Sequence, residues 1–350
     1  MGLFDGPAVK TASGALAPGS TGHLAAHLGF PVILVLDARR MGQSAGAIVH
    51  GLASWSGSVT VSGVILNRVA SERHETMLRD AVERTCPVLG VVRSDPRLSM
   101  PSRHLGLVQA EEMDGLDAFL EGAADVVEAS CDLDAIASLA SELPLGQIQH
   151  RLKPIGQRIA VAKDVAFSFI YPHVLEDWRE LGAELTFFSP LSDQAPDVDA
   201  DAVFLAGGYP ELHAGVLAGN ANFLEGLRRA ASDGAVVYGE CGGFMVLGDA
   251  LTDADGVSHR MAGLLSLETS FADRKRHLGY RKLTPHAGPW SEPLAAHEFH
   301  YSMILRSEGP PLFRASDAAG AELPDMGLVR GNVMGSYAHI ISPAMATESD

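Results

Sequence analysis

The sequence predicts an α/β protein built from two doubly wound, mostly parallel domains. Apolar runs of strand length alternate with helical segments in the first half, which is typical of parallel sheets with helical crossovers. The second half repeats this alternation after a polar stretch that contains proline and glycine. We therefore expect domains over 1–143 and 158–350, joined by a linker over 144–157.

The first half contains three strand candidates separated by two helix candidates, with another helix before the linker. Its strands are expected at Val32–Asp37, Val59–Asn67 and Pro87–Val92, and its helices at about Ser44–Trp55, Ser71–Thr85 and Asp132–Leu143. The segment from Gly6 to Gly22 is rich in glycine, alanine, serine and proline, which favours a loop.

The second half carries four strand candidates, two of which lead into glycine-rich turns. The strands are expected near 159–163, 184–188, 202–205 and 235–239. A further segment, Gly327 to Met334, has strand-like spacing and leads to His339. Ligands of open α/β sheets bind at the carboxyl ends of the strands, so the residues that follow these strands are the candidates for a site.

The composition excludes several classes of function. The 350 residues include 26 basic and 43 acidic side chains, a formal net charge of −17, which argues against nucleic-acid binding because phosphate contacts need a basic face. No apolar run is long enough to span a membrane, and no signal peptide is apparent. Three cysteines are too few for a disulfide framework or a zinc site. We expect a cytoplasmic protein with small-molecule substrates, and its oligomeric state is left open.

Cys241 is the first catalytic candidate. An apolar, β-branched run ends at Gly239-Glu240-Cys241-Gly242-Gly243, and a helix is expected to start at Phe244. Strand, tight turn and helix in this order form the pattern of a nucleophile elbow. The positive end of the helix would favour the thiolate, so we expect an ionised thiol. The alternative is a small buried hydrophobic residue next to a glycine turn.

A cysteine nucleophile needs a base and an oxyanion hole, and candidates for both follow other strands. His339 comes after the strand-like segment near the C-terminus, where its imidazole would face the thiol. Gly208 at a strand end and Gly242 directly after the cysteine would donate backbone N–H groups to an oxyanion. A single histidine is more often structural than catalytic, but the three features together favour acyl-transfer chemistry.

Several motifs resemble a known family. LAGGYPE, YGECGGFMVLG and GSYAHI resemble the class I glutamine amidotransferase domain, and GECGGFM and AAHEFHYSM are similar to cobyrinic or hydrogenobyrinic acid a,c-diamide synthases. The likeness continues upstream through MGLFDG, VILVLDARRMGQSA, GVILNRVASERH and PSRHLGLV. The resemblance implies an N-terminal, P-loop NTPase-like domain similar to dethiobiotin synthetase, followed by an amidotransferase domain.

The resemblance also implies an ATP- and glutamine-dependent amide synthase of cobalamin biosynthesis. Glutamine would be hydrolysed at Cys241 and His339, and the ammonia would attack an acyl phosphate formed from ATP at the a and c carboxylates of the corrinoid. In the nucleotide, metal and acceptor region, the matching residues are Asp5 as the Mg²⁺ contact and Asn67-Arg68 at the position that faces the adenine. Asp37 is a candidate from its place alone, at the carboxyl end of a strand. The sequence does not distinguish the cobalt-bearing corrinoid from the metal-free one.

The phosphate loop implied by this resemblance is missing from the sequence. A Walker A loop needs lysine directly after glycine, followed by serine or threonine. None of the five lysines follows a glycine: Lys10, Lys153, Lys163, Lys275 and Lys282. A misassigned start, a truncation or a separate polypeptide would account for this. The alternative functions are a stand-alone glutaminase or cysteine hydrolase and a non-catalytic tetrapyrrole-binding module.

A polycarboxylate acceptor and an acidic chain require a locally basic cleft. Five arginines of the first domain lie near strand ends and are candidates for it: Arg39, Arg40, Arg68, Arg73 and Arg103. The alternative is that they are scattered surface charges.

The residue that orients the catalytic histidine is not fixed by the sequence. Many class I amidotransferases place a glutamate two residues after the histidine, where this chain has Ile341. Glu240 and Glu298 are the two remaining candidates, and a cysteine–histidine dyad is the alternative.

Overall fold

The computed structural model describes residues 3–6, 15–99, 110, 113–144, 146 and 150–344. Two compact units divide the chain, Met1–Gly146 and Gln147–Asp350. Among the described helices, none is both long and apolar enough to cross a membrane. The expected linker over 144–157 stays a prediction.

The first unit is a three-stranded parallel sheet with helical crossovers. Its elements are α1 (Thr21–Leu28), β1 (Val32–Asp37), α2 (Gln43–Ser54), β2 (Val61–Val69), α3 (Glu72–Val82), β3 (Val88–Arg93), α4 (Leu116–Ser130) and α5 (Leu133–Ser138). The strand order is β1-β2-β3. Val64 and Leu66 on the central strand are fully buried and belong to one core with Ala45 of α2 and Leu78 of α3. This parallel sheet of the first half is as predicted.

The remaining differences in the first unit concern helices. The helix expected over Asp132–Leu143 is too long, because Asp132 lies outside it as the N-cap, accepting the N–H of Ala135, and the helix ends at Ser138. Helix α4 was not predicted. Of the expected loop from Gly6 to Gly22, residues 7–14 lie outside the described part of the chain, as does the motif PSRHLGLV with Arg103.

The second unit contains one parallel sheet and two further sheets. Its elements are β4 (Arg158–Ala162), α6 (Pro172–Glu180), β5 (Glu184–Phe188), β6 (Ala202–Leu205), α7 (Ala214–Gly219), α8 (Ala221–Ser232), β7 (Val236–Glu240), α9 (Gly242–Leu247), β8 (Ala250–Thr252), β9 (Ser258–Arg260), β10 (Ser266–Ser270), β11 (His277–Pro285), β12 (Leu294–His300), β13 (Met303–Glu308), β14 (Phe313–Asp317), β15 (Glu322–Met326), β16 (Leu328–Arg330), β17 (Val333–Ser336) and β18 (Ala338–Pro343).

The central sheet of the second unit has the order β16-β17-β7-β6-β4-β5, with only the edge strand β16 antiparallel to its neighbour. Both faces are buried: along β6, Val203 belongs to one hydrophobic core and Phe204 to the other. Continuous burial of this kind is expected for a parallel sheet covered on two sides. The four strands predicted for this half are confirmed, with ends shifted by no more than a few residues.

Two sheets in the second unit were not predicted. One has the order β15-β14-β11-β12-β18, with every pair antiparallel, and the other has the order β13-β10-β8-β9. Leu294 and Ala296 of β12 are buried in the same core as Trp178 of α6, so the five-stranded sheet covers one side of the central sheet. Burial alternates strictly along β12, but the sequence of this strand does not alternate apolar and polar residues, because Glu298 and His300 are on the buried face and Phe299 is on the other. The period-two pattern that identifies a strand is therefore missing from the sequence.

The chain passes from the parallel to the antiparallel sheet at Tyr337. Before it, Ser336 of β17 pairs in register with Glu240 of β7; after it, His339 of β18 pairs with His297 of β12. One short crossover therefore brings the end of β7, where Cys241 follows, next to a histidine of the antiparallel sheet.

Candidate active site

Cys241 occupies a strained turn between β7 and α9. Its backbone angles are φ 46° and ψ −102°, in a region that residues with a side chain rarely adopt. The order of strand, tight turn and helix is that of a nucleophile elbow. The turn is held on both sides, since the N–H of Cys241 donates to the carbonyl of Ser336 at 2.8 Å and that of Gly243 donates to Ala206 at 3.1 Å.

Gly243 shows why the elbow needs glycine. A Cβ added at this position would lie 2.1 Å from the carbonyl oxygen of Leu205, closer than any real contact. The first turn of α9 therefore rests directly on the backbone at the end of β6, and no side chain fits between them.

His339 lies near the thiol-bearing residue, and both pack against Gly207. A Cβ at Gly207 would be 2.3 Å from Cε1 of His339 and 3.3 Å from Cβ of Cys241. The sequence had suggested that His339 lies at the end of the strand before it. In the structure that strand, β17, ends at Ser336, and His339 is the second residue of the next strand, β18. The two catalytic candidates are thus separated by no more than a glycine.

The two candidate oxyanion donors also lie together. The backbone nitrogen of Gly208 is 3.1 Å from the position that a Cβ on Gly242 would take. Gly242 opens α9, and its N–H hydrogen-bonds the sulfur of Cys241. Gly208 follows β6, where the carbonyl of its neighbour Gly207 accepts the N–H of Phe169 at 2.9 Å. The N–H of Gly242 therefore reaches the thiol, and the backbone nitrogen of Gly208 lies against Gly242.

The expectation of an ionised thiol is wrong for this structure. Cys241 is only 3 % exposed, and Sγ lies 3.9 Å from the carbonyl oxygen of Phe299 on β12. Burial raises the pKa of the Cys241 thiol well above its ordinary value, and the nearby charge of Glu211 raises it further. The hydrogen bond from the N–H of Gly242, at the start of the short helix α9, lowers the pKa of the thiol, but this effect is smaller than that of desolvation. The thiol is protonated at neutral pH.

His339 is neutral for the same reason. Burial lowers its pKa to about 3, and the stacked ring of His297, parallel at a centroid distance of 4.8 Å, lowers it further. Its Nδ1 is buried without a hydrogen-bond partner among the described residues. The nearest carboxylate oxygen is Oε2 of Glu240 at 3.9 Å from Nδ1. Burial also raises the pKa of Glu240 to about 8.

Three aromatic residues near His339 were not predicted. Phe169 and Tyr171 lie 6.3 and 6.1 Å from its ring, and the hydroxyl of Tyr171 hydrogen-bonds Nε2 of His297. His297 belongs to the motif AAHEFHYSM, but this motif gave no indication that His297 contacts His339. That contact depends on the pairing of β12 with β18, which has no local signal in the sequence.

Glu298, one candidate for orienting the histidine, has other partners. Its Oε2 accepts hydrogen bonds from Arg281 at 2.8 and 2.9 Å, and its Oε1 pairs with Nε2 of His300 at 2.8 Å. These partners lower the pKa of Glu298 despite its burial. His277 stacks on His300 at 4.6 Å. Because Arg281 already neutralises the carboxylate and both ring nitrogens of His300 have partners, this cluster is a buried polar network and not a free ligand set.

In the first unit, three of the four candidate residues meet at the carboxyl ends of β1 and β2. Asp37 pairs in register with Asn67, and its carboxylate binds Arg39 at 2.8 Å and Arg68 at 3.0 Å. The hydrogen bonds from Arg39 hold the pKa of Asp37 at about 2. Arg68 has a left-handed backbone, with φ 61°. Asp5 is exposed, and no hydrogen bond or ion pair within the described chain joins it to these three.

Comparison with known proteins matches both units to family models. Residues 158–346 match the CobB/CobQ-like glutamine amidotransferase domain, and residues 5–108 match the CobQ/CobB/MinD/ParA nucleotide binding domain. The chain is 54 % identical to a hydrogenobyrinate a,c-diamide synthase of Rhizobium meliloti over 345 residues, which cover 97 % of this chain and 79 % of that protein. It is 50 % identical to the synthase of the same description from Rhodobacter capsulatus, covering 98 % and 79 %.

Solved structures are more distant. A glutamine amidotransferase aligns with 52 % of this chain and 89 % of its own, at 14 % identity and a TM-score of 0.35. PurLQS from Thermotoga maritima aligns with 53 % of this chain and 87 % of its own, at 17 % identity and a TM-score of 0.36.

Replacing Gly243 with alanine should destabilise the second unit by about 1–3 kcal/mol, since a methyl group forces the helix off the backbone of β6. Gly219, at the end of α7, is the matched control, because a Cβ there meets nothing within 4 Å. Gly219→Ala should be neutral or slightly stabilising. Urea-induced unfolding of both variants tests this, and equal midpoints would contradict it.

Cys241 should react slowly with iodoacetamide in the protein without substrate. Because its pKa is raised, the thiolate fraction at pH 7 is at least about tenfold below that of free cysteine, and the rate should still increase above pH 9. Peptide mass spectrometry separates Cys241 from the two other free cysteines, Cys86 and Cys131. A rate that reaches its plateau below pH 8 would show that the thiol is ionised instead.

Proposed function

The chain belongs to the hydrogenobyrinate a,c-diamide synthase family, and from this membership we propose that it amidates the a and c carboxylates of hydrogenobyrinate or cobyrinate with nitrogen from glutamine. The observation that supports the glutamine half of the reaction is that Cys241 and His339 both lie against the same Cβ position of Gly207. The energy for amide formation comes from ATP, bound by the nucleotide-binding domain.

In the second unit, Sγ of Cys241 attacks the side-chain carbonyl carbon of glutamine. The thiol proton passes to His339, which is neutral because its pKa is low and so accepts it, and from there to the departing ammonia. A thioester is left, and water hydrolyses it to glutamate and restores the thiol. A protonated resting thiol therefore does not prevent the reaction, because deprotonation accompanies attack.

The tetrahedral oxyanion needs two donors beside the sulfur. We assign this role to the backbone N–H groups of Gly208 and Gly242, which is supported by the contact of Gly208 N with Gly242, the residue that follows the nucleophile. A well-placed donor lowers the barrier by about 3–4 kcal/mol.

In the first unit, the acceptor carboxylate takes the terminal phosphoryl group of ATP, and ammonia then displaces phosphate to form the amide. Arg39 and Arg68 both bind Asp37 at the carboxyl edge of the sheet, and Arg40 follows Arg39 in the chain. Several guanidinium groups and a single carboxylate give this edge a local positive charge in an acidic chain, which suits a polycarboxylate acceptor.

The residues present fit Mg²⁺ only in part. Asp37 is already bound by two guanidinium groups, so it orients these arginines and does not offer a free hard oxygen ligand. Asp5 is exposed and would hold Mg²⁺, directly or through water. Asn67 would read the edge of the adenine. No lysine of the chain follows a glycine, so the phosphates of ATP are not assigned to a phosphate-loop lysine.

Changing Cys241 to serine should reduce glutamine-supported amidation by about a thousandfold or more, because the nucleophile is lost. Amidation with added ammonium and ATP should continue, since it does not use the thiol. Product formation is followed by mass spectrometry of the corrinoid.

Cys131→Ser is the matched control, since Cys131 is a free cysteine of the first unit outside both candidate sites. Unchanged glutamate release in the Cys241 variant would remove Cys241 from the mechanism. If glutamate is released by the unaltered chain but ammonium supports no amidation, the chain is a stand-alone glutaminase, the function favoured by the absent glycine–lysine pair.

Changing Arg39 to alanine should raise KM for the corrinoid by about tenfold, the effect expected for losing one charged hydrogen bond. Glutaminase activity should not change. Arg79→Ala is the control, because Arg79 is also a partly exposed arginine in ion pairs, with Glu75 and Glu83 on α3. Steady-state kinetics with varied corrinoid test this, and equal KM values for the two variants would exclude Arg39 from acceptor binding.

A further inference from the structure

Nδ1 of His339 is a buried polar atom whose hydrogen-bonding capacity is not used in the structure. The side chain is 2 % exposed, and no described residue hydrogen-bonds this nitrogen. The carboxylate of Glu240, 4 % exposed, has its Oε2 at 3.9 Å from it. A buried donor without an acceptor is costly, and a carboxylate about 1 Å beyond hydrogen-bond distance is the group that would satisfy it.

Other groups near His339 do not serve this purpose. Ile341, two residues after the histidine, has an apolar side chain, and its carbonyl already accepts from His173 at 2.8 Å. Glu298 is held by Arg281 and His300. His297 stacks face to face on His339, so it does not meet the edge of the ring where Nδ1 lies.

We infer that Glu240 is the positioning residue of the glutaminase site: its carboxylate accepts the Nδ1–H of His339 and so leaves Nε2 to take the proton of the Cys241 thiol. This inference rests on the proposed function. It assigns to the residue directly before the nucleophile the role that a glutamate after the histidine has in many class I amidotransferases.

The local structure holds Glu240 where this role requires it. Its other oxygen, Oε1, accepts the N–H of Ile340 at 3.0 Å, which ties the carboxylate to β18 next to His339. Glu240 ends β7 and pairs in register with Ser336 at the end of β17. The carboxylate is therefore anchored both by its own strand and by the strand that carries the histidine.

The proton transfer that activates the thiol involves only Cys241, His339 and Glu240. The thiol proton moves from Sγ to Nε2, which gives an imidazolium between the thiolate and the carboxylate. When ammonia leaves, the same proton departs with it. Burial raises the pKa of Glu240 to about 8, so the ionised fraction of Glu240 increases as the pH rises towards this value. In that fraction the carboxylate stabilises the imidazolium at the moment when the thiolate forms, in surroundings where each charge alone would be strongly disfavoured by burial.

Other titratable groups also act on this pair and bear on its pH dependence. Those whose charges reach Glu240 or His339 are Tyr171, Tyr238, Cys241, His297, Glu298 and His300. A carboxylate favours the protonated form of a nearby imidazole, so removing the charge of Glu240 lowers the pKa of His339. The acidic limb of the glutaminase profile should then move to lower pH.

Glu240→Gln in the full chain tests the inference, because glutamine keeps an oxygen for the N–H of Ile340 and removes only the charge. We expect kcat for glutamate release to fall about 10- to 100-fold with KM for glutamine nearly unchanged, together with the acidic shift of the profile. Glu298→Gln neutralises a second buried glutamate of the same unit, one that is held by Arg281 and His300. It should lower stability and, because the charge of Glu298 also raises the pKa of His339, should give a smaller shift. An unshifted profile in Glu240→Gln, or an equal shift in both variants, would overturn the inference.

A measurement on the unaltered chain does not depend on the folding of any variant. Nitrogen-15 NMR of labelled histidine should show His339 with its proton on Nδ1, and a proton on Nε2 would overturn the inference. Failure of the proposed function is distinguishable from both results, because it would appear as absent glutamate release in the unaltered chain or undiminished release in Cys241→Ser.

Discussion

The packing of α9 against the end of β6 is the contact on which the rest of the site depends. Gly243 lies directly on the carbonyl of Leu205, and this fixes where the helix starts. Cys241 must then turn within a single residue, at a cost of about 1–3 kcal/mol in backbone strain. Hydrogen bonds to Ser336 and Ala206 on either side hold the turn. The strain is therefore maintained by two neighbouring strands and not by the turn itself.

The site joins two sheets of different type. The parallel sheet supplies the nucleophile and both glycine turns, while the antiparallel sheet supplies His297 and the carbonyl that covers the thiol. Tyr337 connects them, stacking on His300 at 3.7 Å and packing its edge against Phe244 of α9. The ring of Tyr337 therefore contacts both α9, which follows the nucleophile, and β12, whose Phe299 carbonyl lies next to the thiol. These contacts connect the two sheets beside the thiol.

Residues with strong local patterns could be predicted from the sequence, whereas their environment could not. Gly-Glu-Cys-Gly-Gly after an apolar run defined the elbow, because strain and close approach there require particular residues. The ionisation of the thiol was predicted wrongly, since it depends on burial beneath Phe299, which is far away in sequence. Likewise, the contact of His339 with His297 follows from the pairing of β18 with β12, and no spacing within the sequence encodes that pairing. The antiparallel sheet was missed because Glu298 and His300 occupy the buried face of β12, so its sequence does not alternate apolar and polar residues.

The carbonyl of Phe299 over Sγ has a consequence for the chemical lifetime of the protein. Oxidants such as peroxide attack the thiolate and need access to the sulfur, and Cys241 offers neither while it is covered and protonated. Conversion to sulfenic acid should therefore be slow between turnovers. Between turnovers Cys241 therefore stays a protonated thiol, the form that oxidants attack most slowly. The burial that raises the pKa of the thiol also protects it from oxidation.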